Sequence, residues 1–490
     1  MTGPAPGPAP DHDEAAGVGL AAVPGRPDQQ PRWRATATLT RALLGGLGLA
    51  AAAVVAGRPD LLVLGVPLLA WGGWALSARP TTWPAPAVRS GLAPQVLREG
   101  QTGRLVARVL LPPSTDVVWL ASDAVESVAL DPAPGARALR PPVPPSGLPW
   151  WRRTLAGPAA AQVTAEVALD VTPMRWGQRT LGGTWLGVTS AGGGFRWGPV
   201  TLPTPELTVL PVPVAAATSG PAPHPVGLVG QHRSRSVGEG SELAGVRPFT
   251  PGDRLRRISW RASLRPEAVR RGELLVSATH ADQDAGVLVV VDAVGDIGLS
   301  EGLQGRASSL DVTVRAAAGI VEHYLSTGDR VGLQILERRR VLALPTHSGA
   351  LHRRRALLML AQTAQTAGPL ARRLTRSASP RVTLGGRSTS LVVLVSPLMS
   401  THVLTQAVTL ARHRATVIVV DTLPTEVVLP SLGRPWSRDL AWRLRVIEHD
   451  HTSRALTAAG LGLVAWRGPG SLDAVLRLAS RRPPSLIGVR

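Results

Sequence analysis

The chain has 490 residues and a formal net charge of +20, and all 53 of its basic residues are arginine. Without lysine it has no Walker-type phosphate loop, kinase-type lysine or Schiff-base nucleophile, and without cysteine it has no disulfide, thiolate chemistry or cysteine-ligated metal. The charge balance raises nucleic acid as a partner, but the arginines are dispersed and aromatic residues make up only 3% of the chain, so no nucleic acid is expected.

The length allows about two to four domains. Residues 1–35 are rich in Pro, Gly, Ala and Asp, lack periodicity, and read as a disordered leader. Two apolar stretches follow, 42–57 and 61–76, parted by Arg58, Pro59 and Asp60. Counted as 38–57 and 61–78, each approaches the ~20 residues that span a bilayer, which predicts a transmembrane hairpin over 38–78. A cleaved signal peptide is the competing reading, but the apolar region begins late and a second one follows. Arg32, Arg34 and Arg41 precede the hairpin and Arg79 and Arg89 follow it, whereas Arg58 at the connection is offset by Asp60. The positive-inside bias therefore predicts a two-helix cell-membrane protein with both termini cytoplasmic.

Beyond a proline-rich connector over 79–94, short apolar runs recur between turn residues at 105–111, 117–120, 163–171, 180–188 and 207–210. Their spacing predicts a small β-sandwich within 92–215. Trp150, Trp151, Trp176, Trp185 and Trp197 are expected as core or interface anchors ahead of a sugar-stacking platform.

The segment from Gly238 to Ser263 reads GEGSELAGVRPFTPGDRLRRISWRAS. Pro251-Gly252-Asp253 is turn chemistry: proline presets one dihedral, glycine supplies a left-handed one, and aspartate can bond the backbone just beyond. Gly238, Glu239, Gly240, Glu242, Arg247, Pro251, Gly252, Asp253, Arg256, Ile258 and Trp260 resemble the signature of the bacterial family called domain of unknown function 58. Leu243, Phe249 and Ser259 depart from an aromatic residue, a tyrosine and an aspartate in that signature, and Leu264-Arg265 stands where Ala-Arg is usual. Arg175-Trp176-Gly177 and Gly193-Gly194-Phe195 match other family positions loosely. The signature region is taken as 225–282, with Glu242, Arg247, Pro251, Gly252, Asp253, Arg256 and Trp260 as its partner-binding or structural residues.

From residue 283 onward the pattern alternates between strand and helix, predicting a doubly wound α/β domain over 283–490. The apolar run 287–291 ends at Asp292, and Leu310, Val314, Ala317, Val321 and Tyr324 follow at helical spacing. Further strands are expected at 331–335, 341–344, 391–395, 417–420 and 461–465. Helices are expected at 351–364, 403–413, 440–459 and 472–480. Gly328-Asp329-Arg330-Val331-Gly332-Leu333 resembles an element of von Willebrand factor A domains. That resemblance implies a divalent cation at the strand end, held by an Asp-x-Ser-x-Ser motif, a later threonine and a later aspartate. This chain has Asp292-Ala293-Val294-Gly295-Asp296, and its strand at 391–395 runs into Ser396 and Pro397. The metal site is thus expected to be degenerate, with Asp292 and Asp296 as weak candidate ligands, no other cofactor, and helix capping or arginine pairing as their alternative roles.

Glu448-His449-Asp450-His451 is a polar cluster whose members do not share a helix face. Gly468-Pro469-Gly470-Ser471 suits either a phosphate at a helix N-terminus or a simple N-cap. No catalytic constellation is assembled, so the chain is expected to be a non-enzymatic adaptor. The family resemblance implies its partners, a MoxR-type AAA+ ATPase and a transglutaminase-like membrane protein, in the maturation of envelope or other complexes. The alternatives are metal-dependent adhesion through the α/β domain and, behind it, a hydrolase built on Asp253 or Glu242 with a histidine.

Overall fold

A computed structural model describes residues 21–22, 31–80, 85–112, 114–141, 163–213, 233–250, 258–265, 272, 274–282, 286–338, 340–363, 382, 389–399, 401–412, 416–429, 435–468 and 470–481. The chain divides into two units, Met1–Leu210 and Pro211–Arg490.

The first unit opens with two antiparallel helices, α1 (Ala37–Ala56) and α2 (Asp60–Ser77). Helix α1 starts where the Thr36 hydroxyl accepts the Leu39 N–H at 3.4 Å, and it stops on Gly57, whose φ of 64° suits a residue without Cβ. The helices meet through small residues: a Cβ on Gly46 would lie 3.2 Å from the Gly65 carbonyl oxygen, and one on Gly65 equally close to that of Gly46. Leu44, Leu47, Val54, Val55, Val63 and Leu64 face outward and are exposed. Both helices are long and apolar enough to cross a membrane. At 1.5 Å per residue they extend about 30 and 27 Å, close to the hydrocarbon thickness of a bilayer.

Two five-stranded sheets share one core in the rest of this unit. In spatial order the first contains Ala21–Ala22, Ala87–Ala93, Gly103–Leu111, Val163–Pro173 and Val128–Asp131. The second contains Arg34–Ala35, Phe195–Thr201, Thr184–Ser190, Thr115–Ser122 and Ala136–Leu139. Leu105, Val109, Val167 and Leu169 of one pack with Val118, Leu120, Leu186, Val188 and Trp197 of the other. A smaller sheet joins Gly177–Thr180, Glu206–Leu210 and Val96–Arg98. Trp176 is fully buried and donates its backbone N–H to the buried Glu99 carboxylate at 3.1 Å. Trp150 and Trp151 lie outside the described residues.

Several details differ from the sequence reading. The disordered-leader assignment does not hold at Ala21–Ala22 and Arg34–Ala35, which complete sheet edges by pairing with residues far along the chain. Pairing of this kind leaves no local pattern in two residues. The expected strand at 180–188 is broken after Thr180 and resumes at Thr184. Ala136–Leu139 went unread because it is exposed along its whole length and has no apolar alternation to betray it.

In the second unit, β1 (Arg233–Pro248) pairs antiparallel with β2 (Leu275–Asp282), with register shifts between Gly238 and Leu243. The glycine-rich part of the signature is therefore an irregular strand. Beyond it, β3 (Gly286–Asp292), β4 (Arg330–Leu336), β5 (Val341–His347), β6 (Thr389–Ser396), β7 (Thr416–Asp421) and β8 (Gly462–Ala465) form one sheet in the order β5-β4-β3-β6-β7-β8. All neighbours are parallel except β5, which lies antiparallel on the edge.

Among the described residues five helices alternate with these strands: α3 (Ser309–Ser326), α4 (Ala350–Ala361), α5 (Thr401–Arg412), α6 (Pro435–Ala458) and α7 (Ser471–Arg481). Leu288, Val290, Val392, Leu394, Val417 and Val419 pack against Val403, Ala407 and Leu410 of α5 and Leu456 of α6. The alternate residues Val287, Val289 and Val291 are just as buried, on the side where α3 packs over β3, β4 and β6. Burial on both faces is why these strands read as unbroken apolar runs rather than alternating ones.

Candidate functional site

The strand order of the six-stranded sheet reverses between β3 and β6, and open α/β sheets take ligands at the carboxyl ends flanking such a reversal. Register places Asp292 beside Leu336, Ser396 one residue past the Val291–Val395 pair, and Asp421 between Ser396 and Ala465. Asp292, Ser396 and Asp421 thus form a row across this edge. They continue the face that carries Val290, Leu394 and Val419, since residues two apart on a strand share a face. All three are buried.

Each member of the row is bonded within the protein. The Ser396 hydroxyl donates to Asp292 Oδ2 at 2.7 Å and accepts the Leu398 N–H at 3.0 Å. Asp292 Oδ1 accepts the Val294 N–H at 3.2 Å. Asp421 repeats the device: its Oδ1 accepts the Leu423 N–H at 3.0 Å and meets His449 Nε2 of α6 at 2.9 Å. Leu398 itself has a φ of 57° and is buried. A left-handed leucine costs about 1–3 kcal/mol, so the bend after β6 is held by its surroundings.

His449 is pulled above its ordinary pKa, first by its hydrogen bond to Asp421, with the Asp421 charge and then Asp450 adding to this and burial opposing it. Its Nδ1 lies 3.6 Å from an Asp450 carboxylate oxygen. The 448–451 cluster is therefore not a site by itself. One of its members, His449, reaches across to a strand end, while Glu448 pairs with Arg445 at 2.9 Å on the helix itself.

Asp296 closes the N-terminus of α3. Its Oδ1 accepts the Leu310 N–H at 3.0 Å and the Ser309 hydroxyl at 3.3 Å, and Ser309 Oγ accepts the Ile297 N–H at 2.8 Å. A capping box between Ser308 and Asp311 completes the same helix start. Negative groups at this end are favoured by the helix dipole. One turn in, Thr313 donates to the Ser309 carbonyl at 2.7 Å, which leaves its oxygen to accept the Thr422 hydroxyl at 2.6 Å. At the far end of α3, burial raises the Asp329 pKa against the opposing Thr327 hydroxyl, 2.8 Å away, and burial likewise raises that of Tyr324.

The fit of a divalent cation can be judged from these donors. Among the described residues no three carboxylate or imidazole groups converge on one point. The oxygens of Asp292 and Asp296 already accept protein hydrogen bonds. This pair does not provide the near-octahedral oxygen set that magnesium requires. At the start of α7 the Ser471 hydroxyl accepts the Arg467 N–H at 2.8 Å, a bond that closes the loop before the helix.

The signature residues occupy a different place in this unit. Ile258 bridges to Val276 of β2, the Ser259 N–H donates to the Leu275 carbonyl at 2.9 Å, and Ser263 Oγ accepts the Leu275 N–H at 2.8 Å. These bonds fasten the single helical turn Trp260–Ser263 to the strand, and Trp260 on it is 62% exposed. Arg247, near the end of β1, donates from Nη1 to the Pro248 carbonyl at 3.1 Å and the Thr250 hydroxyl at 3.0 Å. Pro251, Gly252, Asp253 and Arg256, and the side chain of Glu242, lie outside the described residues.

Sequence reasoning named Asp292, Asp296 and the 448–451 cluster but missed the Asp292–Ser396 bond, Asp421 and the Thr313–Thr422 contact. One signal was there to use: Val419-Val420-Asp421 repeats Val290-Val291-Asp292, an apolar strand ending in aspartate. No curated protein matches this chain. A family model does, over residues 245–454, and its description is "Protein of unknown function DUF58". That stretch runs from the last residues of β1 through most of α6, so it contains both the exposed Trp260 turn and the row at the carboxyl edge, and over it the chain is similar to the DUF58 family.

Proposed function

We propose that the chain is a membrane-anchored, non-enzymatic adaptor that works with a MoxR-type AAA+ ATPase, alongside a transglutaminase-like membrane protein, in the maturation of envelope or other protein complexes. The identity of these partners follows from the family resemblance. The observation that carries a docking surface is Trp260: a tryptophan left 62% exposed on a turn bolted to β2, with Leu264 73% exposed beside it. Tryptophan and arginine dominate the binding energy of protein interfaces. Arg261 and Arg265 flank Trp260 and are exposed, which suits an acidic partner surface. In this reading Arg247 positions the strand end and Trp260 makes the contact.

Residues 283–490 are read as a von Willebrand A-like domain with a degenerate cation site. The strand order with one antiparallel edge supports this, as does the commitment of Asp292 to Ser396. In this reading both termini are cytoplasmic. Arg32, Arg34, Arg41 and Arg79 lie near the open ends of the hairpin, while its connection has Arg58 offset by Asp60.

Affinity capture from gently solubilised native membranes tests the adaptor. Wild type is compared with Trp260→Ala and with an Arg247→Ala, Asp253→Ala double variant by mass spectrometry. Enrichment of an AAA+ ATPase with wild type, lost with either variant, is the expected result. Equal recovery with all three proteins, or no ATPase at all, would make the segment a structural joint.

A further inference from the structure

The base of the hairpin has a second feature, carried by the β-sandwich as much as by the helices. Both hairpin ends converge on one loop of the sandwich. The Thr36 N–H donates to the Gly194 carbonyl at 2.9 Å and its hydroxyl to the Gly193 carbonyl at 2.8 Å. A Cβ on Gly194 would lie 3.0 Å from that of Ala75 in α2 and 3.7 Å from Leu39 in α1. Leu39, Ala75, Ala78, Ala191 and Phe195 form a cluster here, with Trp33, Trp71 and Trp74 half-buried around it. Tryptophans at the end of an apolar hairpin sit at the depth of lipid headgroups.

Five arginines surround this collar: Arg32, Arg34, Arg41, Arg79 and Arg196, all exposed. Arg34 and Arg196 stand directly opposite each other in the antiparallel pairing. Like charges in that position repel and weaken the pair. Among the described residues none of the five guanidinium groups has a carboxylate partner. The nearby Asp116 carboxylate accepts the Gly193 N–H at 2.8 Å instead. Cations held against one another without an acid call for an anion from outside the protein, and guanidinium forks match phosphate oxygens.

The geometry points to a headgroup site for anionic phospholipids at the base of the hairpin, in which Arg34 and Arg196 share a lipid phosphate, Arg32, Arg41 and Arg79 hold its neighbours, and Trp33, Trp71 and Trp74 set the depth. This rests on the hairpin spanning the membrane. It adds that the sandwich itself, through Arg196, is part of the lipid contact and is held against the leaflet.

The full-length protein in neutral detergent is loaded with phosphatidylglycerol or phosphatidylcholine, washed, and assayed for retained lipid. Wild type is expected to retain phosphatidylglycerol at least about threefold better than phosphatidylcholine, from the attraction of several basic residues to anionic headgroups, and to lose that preference in high salt. Replacing all five arginines with glutamine abolishes the preference, while replacing them with lysine keeps most of it. An Arg34→Gln, Arg196→Gln double variant, which leaves the hairpin untouched, is expected to lose a large part. Equal retention of both lipids by wild type, or a preference unchanged in the double variant, overturns the headgroup site. Alkaline-carbonate extraction of native membranes separates the two ideas. Release of wild type would sink the hairpin reading itself, whereas wild type that stays in the pellet without lipid preference sinks only the headgroup site.

Discussion

The carboxyl edge of the six-stranded sheet and the base of the hairpin both gather charge, and they treat it in opposite ways. At the edge, Asp292 and Asp421 each receive hydrogen bonds from groups a few ångströms away. At the base, Arg34 and Arg196 face each other across a strand pair. A buried charge must be neutralised where it stands, because desolvation is costly. An exposed one can wait for a partner. Polar residues at the edge are thus spent on holding the fold, and those at the base are left for something beyond it.

Removing an acceptor from the edge should show the largest effect. Asp421→Ala strands a buried imidazole and the Leu423 N–H, and breaking a buried pair in this way costs about 3–5 kcal/mol. Denaturant unfolding of the full chain, followed by circular dichroism, should show a lower midpoint for the second unit. An unchanged midpoint would mean that the His449 contact is not a brace.

Asp292→Ala comes next, at about 1–3 kcal/mol for leaving the Ser396 hydroxyl and the Val294 N–H unsatisfied. Asp292→Asn should cost less, since its amide oxygen still accepts from Ser396. Adding magnesium sharpens this. If the site is structural, the wild-type midpoint does not move with the ion. A rise that both substitutions abolish would restore the cation reading.

A smaller effect is expected from pH. The folded pKa of His449 is raised above the ordinary 6.5, so its stabilisation is complete below that value and is lost as pH rises through the folded pKa. His352 acts the other way. Burial lowers its pKa, against the bond from Nε2 to the Val331 carbonyl, so its contribution is present above 6.5 and fades as pH falls through the depressed value. The stability gap between wild type and His449→Gln should therefore be wider at about pH 6 than at about pH 8. A gap of constant size would show that protonation of His449 does not matter.

The smallest effect has the opposite sign. Arg196→Gln relieves the repulsion with Arg34 and should stabilise the first unit by about 0.5 kcal/mol in zwitterionic detergent. In anionic lipid the same change should lower the melting temperature. A loss of stability in both media would mean that Arg196 is engaged in the protein like the aspartates of the edge, and the contrast between the two clusters would disappear.

How much of this was legible depended on how local the cause is. The helices of the hairpin were read to within about two residues because length and apolarity are properties of a single segment. The strands β3, β6 and β7 were read from apolar runs, since a strand buried on both faces needs no partner to announce itself. The apolar run of β7 ends at Val420, one residue before the aspartate that matters. His449 stands out in the sequence for its neighbours, whereas its partner Asp421 is on another element. The glycine-rich part of the signature has no strand pattern of its own, yet it forms a strand by pairing with β2. Local propensity yields to such pairing because backbone hydrogen bonds across a sheet are supplied by another segment.

Composition alone excluded the chemistries of lysine and cysteine, and hydrophobic patterning alone set the hairpin, the β-rich region and the alternation of strand and helix. The tertiary structure decided which polar groups meet. Ser396 and Asp292 are 104 residues apart, and Asp421 and His449 are 28 apart on different elements. Arg34 faces Arg196 only because Thr36 is tied to the Gly193-Gly194 loop. Burial of apolar surface is non-directional and is written into short stretches of sequence, whereas a hydrogen bond or a charge pair depends on distances of a few ångströms that exist only after the strands have found their register.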